Sequence, residues 1–62
     1  MDLMKIDDMA KLLKMSPTTI YRECRKKQIP HFKIGGAIRF DPDEIRDWLE
    51  DQKVKPVQHK FR

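Results

Sequence analysis

Apolar residues recur at three- and four-residue spacing in three separate stretches of this chain. Residues 6–14, 17–27 and 42–52 each place apolar side chains on one side of a helix, which predicts three short amphipathic helices. None of the three is long enough to be stable alone, so they must pack against one another. The side chains that we expect on the packed faces are Ile6, Met9, Ala10, Leu13, Ile20, Cys24, Ile45, Trp48 and Leu49.

A second pattern, strict alternation of apolar and polar positions, occupies residues 31–40. The dipeptide Gly35-Gly36 divides it into two runs, which is a strong signal for a β-hairpin with a two-residue turn. Carried through the turn, the alternation places Lys33 and Arg39 on the outer face of the hairpin. The apolar members, which we expect together on the inner face against the helices, are Phe32, Ile34, Ile38 and Phe40.

The starts of the second and third helices carry clear capping signals. Ser16 can accept a hydrogen bond from a free N–H of the first turn, and Pro17 suits the first helical position. Asp41 and Pro42 repeat this arrangement before the third helix. Two short helices joined by a three-residue turn predict a helix-turn-helix, and the run that follows adds a small β-hairpin to a mainly α fold.

The second helix combines an apolar back with a basic front. A helical wheel places Thr18, Tyr21, Arg22, Arg25 and Lys26 within one arc that contains no carboxylate. A short helix with such a front suits the major groove of double-stranded DNA. The hairpin tip, which has no side chains, can approach a phosphate backbone or a minor groove closely. Alternatively, the hairpin only completes a small core and its cations are solvated.

The net charge of +4 is unevenly distributed along the 62 residues. Residues 16–40 carry a net charge of +5, residues 41–52 carry −5, residues 53–62 carry +4, and the first fifteen residues are neutral overall. Such segregation is expected of a nucleic-acid-binding protein that keeps one face away from the phosphates. The alternative is two solvated faces that happen to differ in charge.

Several classes of site are not expected. The single cysteine, Cys24, excludes an internal disulfide and is typical of a reducing compartment. His31 and His59 lie far apart without partner thiols, so no metal site is predicted. No nucleophile–base pair or phosphate-cradling loop occurs, so we expect no catalytic residues, no cofactor and no small-molecule ligand. The N-terminus has no apolar run, which predicts neither a signal peptide nor a membrane span, and a cytoplasmic location.

Taken together, residues 10–22, 29–40 and 43–49 resemble the excisionase-type DNA-binding domains, compact relatives of the MerR-like winged helix-turn-helix. The resemblance covers about residues 3–51. It implies that the second helix, residues 17–27, is a recognition helix in the major groove and that the hairpin, residues 31–40, is a wing in the minor groove. The recognition-helix residues expected to bind DNA are Ser16, Thr18, Thr19, Tyr21, Arg22, Arg25 and Lys26. The expected wing contacts are Lys33, Gly35, Gly36 and Arg39.

The chain departs from the family pattern at four places. Lys5 stands where a capping Ser or Thr is common, and Lys14 and Lys27 replace glycines in the first turn and after the recognition helix. A lysine is the costlier residue if the backbone there has positive φ. The wing tip also lacks the arginine often found after the glycines, which leaves Arg39 as its main cation.

The resemblance implies a prokaryotic or phage-encoded excision factor in residues 1–52. Residues 53–62 contain Pro56 and show little periodicity, which predicts a flexible basic tail. Such factors bind repeated sites, self-associate on DNA, bend it and direct an integrase or recombinase towards excision. One alternative is a small transcriptional regulator. Another is a protein-interaction module that acts through the third helix or the tail. With no exposed dimerisation face, the sequence predicts a monomer that assembles cooperatively on DNA.

Overall fold

The computed structural model describes residues 2–56. Its elements are the helices α1 (Ile6–Leu13), α2 (Pro17–Arg25) and α3 (Pro42–Gln52) and the strands β1 (Phe32–Ile34) and β2 (Ala37–Arg39), which pair antiparallel between α2 and α3. This architecture confirms the predicted mainly α fold with a small hairpin, in a winged helix-turn-helix arrangement. Of the predicted tail, residues 53–56 are exposed and outside regular secondary structure, and residues 57–62 lie outside the described residues.

The two helix starts are capped as predicted. The Ser16 hydroxyl accepts a hydrogen bond from the backbone N–H of Thr19 at 3.1 Å, and the Asp41 carboxylate accepts one from Asp43 at 3.0 Å. At the start of α1, where Lys5 offers no capping oxygen, the Asp8 carboxylate accepts the backbone N–H of Lys5 at 2.9 Å. This bond is one half of a capping box: it satisfies the N–H of Lys5, although no side-chain oxygen of residue 5 caps the first turn.

The ends of α1 and α2 come earlier than the predicted residues 14 and 27. Lys14 has φ 55° and Lys27 has φ 59°, both in the left-handed region that ends a helix. In the residue after each lysine, the backbone N–H donates to a carbonyl of the preceding helix. Met15 donates to the Ala10 carbonyl at 3.0 Å, and Gln28 donates to the Glu23 carbonyl at 2.9 Å. Both bonds are typical of a helix end with glycine at the left-handed position.

The predicted faces of the hairpin are confirmed for Ile38 and Phe40, which are buried, and wrong for the first strand. The two-residue turn pairs Ile34 with Ala37, Lys33 with Ile38 and Phe32 with Arg39, and paired residues share a face. Across a two-residue turn, an even-numbered residue pairs with an odd-numbered one. The even-numbered residues of β1 therefore share a face with the odd-numbered residues of β2. Consequently Lys33 and Arg39 lie on opposite faces rather than together. Phe32 and Ile34 are 40% and 56% exposed, whereas Ile38 is buried.

Met4 adds a short pairing that the sequence pattern did not predict. Its N–H donates to the Phe40 carbonyl at 2.8 Å, and the Phe40 N–H donates to the Met4 carbonyl at 2.9 Å. The segment before α1 thus lies beside the second strand of the hairpin. This places Lys5, the next residue, close to the wing.

The hydrophobic core lies where the three helices meet the inner face of the hairpin. At its edge, the Trp48 indole N–H donates to the Gln28 carbonyl at 3.0 Å and ties α3 to the chain just after α2. The residues partly buried against the core are Met4, Ile6, Leu13, Trp48 and Leu49. The buried residues are Met9, Ala10, Ile20, Cys24, Ile29, Ile38, Phe40 and Ile45.

Candidate nucleic-acid interface

The structure exposes the predicted front of α2. Ile20 and Cys24 are buried on its back, as expected from their positions on the helical wheel. The five predicted front residues are exposed together: Thr18, Tyr21, Arg22, Arg25 and Lys26.

Ser16 and Thr19 have a structural role at the start of this helix. Their hydroxyl oxygens are 2.9 Å apart and hydrogen-bonded to each other, and the Ser16 oxygen also caps the helix. Ser16 is exposed and Thr19 is half-buried. These contacts fix where α2 begins and so orient the neighbouring Thr18. That the hydroxyls of Ser16 and Thr19 also bind DNA stays a prediction.

Glu23 divides the cations of α2 into two groups. Its carboxylate lies 3.8 Å from Arg22 Nε and 3.6 Å from Lys26 Nζ. The basic arc itself contains no carboxylate, but this one reaches it from the flank. Arg25 lies on the other flank and has no ion pair among residues 2–56. Arg25 is therefore the α2 cation most available to an anionic partner.

A cleft separates α2 from the wing, and we call it the α2–wing cleft. Cys24, Ile29, Pro30 and Ile38 line its apolar part. No carboxylate among residues 2–56 lines it. Its polar lining comes from α2, from the segment that follows and from β1: Tyr21, Arg25, Lys27, His31 and Lys33.

His31 is held firmly inside this cleft. Its Nδ1 lies 2.7 Å from the carbonyl oxygen of Ile29, and its ring packs at 56° against that of Phe40, with 6.4 Å between the centroids. A carbonyl oxygen only accepts, so Nδ1 carries the proton of this bond. The imidazole is thereby oriented by the backbone and the core.

A second cleft lies on the other side of the wing, between it and the start of α1. Lys5, Asp7, Tyr21, Gly36 and Arg39 line it, together with two apolar residues. Arg39 is steadied by a hydrogen bond of 2.8 Å from its guanidinium to the Ile38 carbonyl. Because Tyr21 lines both clefts, the front of α2 and the wing form one continuous surface.

Gly35 and Gly36 form the tip of the wing, as predicted. Both have positive φ, 54° and 88°, and a Cβ built on either would meet nothing within 4 Å. The tip is therefore open to a partner, and glycine is required there by the backbone rather than by neighbours. Lys33 and Arg39 flank the tip from opposite faces, each toward a different cleft.

Three lysine and histidine residues of this surface were not in the predicted set: Lys5, Lys27 and His31. Lys5 and Lys27 lie outside the two patterns used to choose candidates, the helical arc and the alternating run, and His31 lies at the start of that run before β1. Lys27 and His31 reach the cleft through the path of the backbone after α2. Lys5 reaches it through the pairing of Met4 with Phe40. The only sequence signal for them was their positive charge or ring nitrogen near the basic segment.

Cys24 is a packing residue on the back of α2. Burial raises the pKa of its thiol, and the nearby Glu23 carboxylate raises it further. The neutral thiol is therefore favoured, and a thiolate nucleophile is disfavoured. No group of three or more metal-ligating residues occurs among residues 2–56, and no helix there is long and apolar enough to cross a membrane.

The two lysines with positive φ provide a matched pair of substitutions. Lys14→Gly and Lys27→Gly should each raise the free energy of unfolding by about 0.5–1 kcal/mol, because glycine adopts the left-handed region without a Cβ clash. Only Lys27 lines the α2–wing cleft, so only Lys27→Gly should weaken binding to duplex DNA. Thermal denaturation and fluorescence anisotropy measure the two effects. Equal loss of DNA affinity in both variants would contradict this assignment.

A family model described as a helix-turn-helix domain matches residues 3–53. The match therefore covers most of the chain, including every element described above. No curated protein and no solved structure matches the chain significantly.

Proposed function

As a member of the helix-turn-helix domain family, this chain is a DNA-binding protein, and we propose that it is a non-catalytic, sequence-specific excision factor. In this proposal residues 1–52 bind double-stranded DNA at repeated sites, bend it and direct a phage or mobile-element integrase towards excision. It would act in the cytoplasm of a prokaryotic host, where that DNA lies. The basic tail, residues 53–62, adds sequence-independent attraction to phosphates.

The continuity of α2 with the wing is the observation that carries the proposal. Tyr21 joins two clefts whose other polar lining is mainly cationic. No residue of the acidic α3 lines either cleft in the described part of the chain. An exposed basic helix beside an open glycine tip suits adjacent major and minor grooves, with the phosphate backbone between them. In this arrangement Thr18 faces bases, Arg25 reaches a base edge or a phosphate, and Arg39 and Lys33 flank the backbone.

The small size of the surface supports binding by several copies. A single helix and wing contact only a few base pairs, which is too few for useful specificity in a genome. Additional specificity then comes from further copies on adjacent sites or from a recombinase bound beside them. We propose that the protein is monomeric in solution and self-associates on DNA. Sedimentation with and without a duplex carrying two sites tests this directly.

Salt dependence tests DNA binding itself. A duplex selected from a random pool should bind with an affinity that falls steeply with salt, by about 0.9 log units per log unit of salt for each phosphate neutralised. With the cations of both clefts engaged, the expected slope is about −3 to −5. A selected duplex whose affinity did not change with salt would refute the proposed interface.

An excision assay separates the proposed role from transcriptional regulation. The purified protein is added to phage or mobile-element integrases of the source genome and to DNA carrying their attachment sites. Stimulation of excision and a bend measured by circular permutation support the excision factor. Repression of a promoter without any effect on excision identifies a regulator. If residues 1–52 alone keep full DNA affinity but lose stimulation, the tail contacts a protein partner.

A further inference from the structure

The α2–wing cleft concentrates positive charge from three separate parts of the chain. Arg25 belongs to α2, Lys27 to the turn after it and Lys33 to β1, and all three line one concave surface. No carboxylate of residues 2–56 lines the cleft to balance them. Like charges held close together without a counter-ion repel one another. An anion bound among them offsets this repulsion.

His31 contributes a ring nitrogen to the same cleft. Because Nδ1 donates to the Ile29 carbonyl, the neutral ring carries its lone pair on Nε2. Nε2 has no hydrogen-bond partner among residues 2–56. A lone pair repels a phosphate oxygen, whereas a protonated Nε2 donates a charge-assisted hydrogen bond to it. The ring therefore changes from repelling an anion to binding it when it gains one proton.

We infer that the α2–wing cleft binds one phosphodiester of the DNA backbone, and that His31 takes up a proton as it does so. This inference rests on the proposed DNA-binding surface and adds a proton to its binding reaction. A bound phosphodiester oxygen favours the protonated ring, which can donate a hydrogen bond to it from Nε2. Histidine is the side chain whose charge changes most readily within the physiological pH range.

The other titratable groups of the cleft do not account for a proton taken up on DNA binding. Tyr21, Cys24 and Arg25 line the cleft from α2, Lys27 from the turn and Lys33 from β1, and Phe40 packs on the His31 ring. The phenol, ammonium and guanidinium groups ordinarily keep one protonation state between pH 6 and 8. Burial and Glu23 raise the pKa of the Cys24 thiol, which keeps it neutral in the same interval. A proton taken up in this cleft is therefore assigned to His31.

The test compares affinities for one selected duplex at pH 6 and pH 8, each over a range of salt concentrations. The wild-type protein should bind about 3- to 10-fold more tightly at pH 6, because the complex holds one more proton than the free protein. Its salt slope should be steeper there by up to about 0.9, since one further positive charge of the protein contacts the DNA. Fluorescence anisotropy measures both quantities.

Two histidine variants localise the effect. His31→Asn retains an amide donor near the position of Nδ1 but cannot gain a proton, so it should lose both the pH dependence and the change in slope. His59→Asn removes the other histidine of the sequence and should retain both. Circular dichroism checks that each variant is folded. Retention of the full pH dependence by a folded His31→Asn variant would overturn the inference.

Calorimetry on the wild-type protein tests the inference without any substitution. Binding enthalpies at pH 7 in buffers of different ionisation enthalpy should differ by an amount that corresponds to net proton uptake. Salt-dependent DNA binding without proton uptake refutes the role of His31 and leaves the proposed function intact. Absence of DNA binding at either pH refutes both. An equal uptake with sulfate alone, an anion that does not titrate near pH 7, would assign the cleft to a free anion instead of DNA.

Discussion

Replacing Phe40 by alanine is expected to unfold this protein at room temperature or leave it barely folded. Phe40 is fully buried, its ring packs against His31, and its backbone pairs with Met4. Truncating a buried phenylalanine costs about 3–5 kcal/mol, from lost burial and the cavity left behind. A domain of this size has a total stability of only about 3–9 kcal/mol. The single substitution therefore removes a large share of that stability.

Urea denaturation followed by circular dichroism and by the fluorescence of Trp48 measures this loss. Trp48 is a suitable probe because its indole is hydrogen-bonded to Gln28 across the core edge. Phe40→Leu is the matched control, since it nearly conserves volume and should cost less than about 1.5 kcal/mol. A thermal midpoint for Phe40→Ala within about 4 °C of the wild type would mean a loss below about 1 kcal/mol and would contradict the central position of Phe40.

The largest expected loss of DNA affinity follows from Arg25→Ala. Arg25 is exposed on the wing side of α2, lines the α2–wing cleft and has no ion pair within residues 2–56. Its planar guanidinium can donate two parallel hydrogen bonds to a guanine edge or to a phosphate. Removing it should weaken binding to the selected duplex by about 10- to 100-fold, equivalent to about 1.4–2.7 kcal/mol. Fluorescence anisotropy measures the ratio.

Three further variants show what kind of contact Arg25 makes. Arg25→Lys keeps the positive charge but loses the two parallel N–H donors of the guanidinium. If Arg25 contacts a base, this variant should discriminate less between duplexes of different sequence, with little change in salt slope. Arg22→Ala should cost less than Arg25→Ala, because Arg22 lies beside the Glu23 carboxylate. Lys11→Ala removes an exposed cation of α1 outside both clefts and should leave affinity unchanged. A loss below about twofold for Arg25→Ala would remove this residue from the interface.

The order and type of the elements could be predicted from the sequence because their causes are local. Helical spacing of apolar residues predicted all three helices, and Asp41 with Pro42 predicted the start of α3 correctly. The ends of α1 and α2 were predicted one and two residues too late. Lys14 and Lys27 continue a helix readily by residue type, but backbone hydrogen bonds hold both in the left-handed region.

The error in the hairpin has a different cause. Its turn was predicted correctly from Gly35-Gly36, and a two-residue turn implies that Ile34 pairs with Ala37. The information needed was therefore present in the sequence. Carrying the alternation through the turn without reversing its parity placed Phe32 on the buried face, whereas the structure exposes it.

The sequence by itself determined the helices, the hairpin turn, most of the core and the basic front of α2, since each depends on spacing within one element. Only the tertiary structure decided that Lys5, Lys27 and His31 share a surface with that front, and that Glu23 restrains Arg22 and Lys26. These residues meet because separate elements pack and because Met4 pairs with Phe40. No local periodicity records such a meeting, because it depends on the path of the backbone between elements and on side-chain reach.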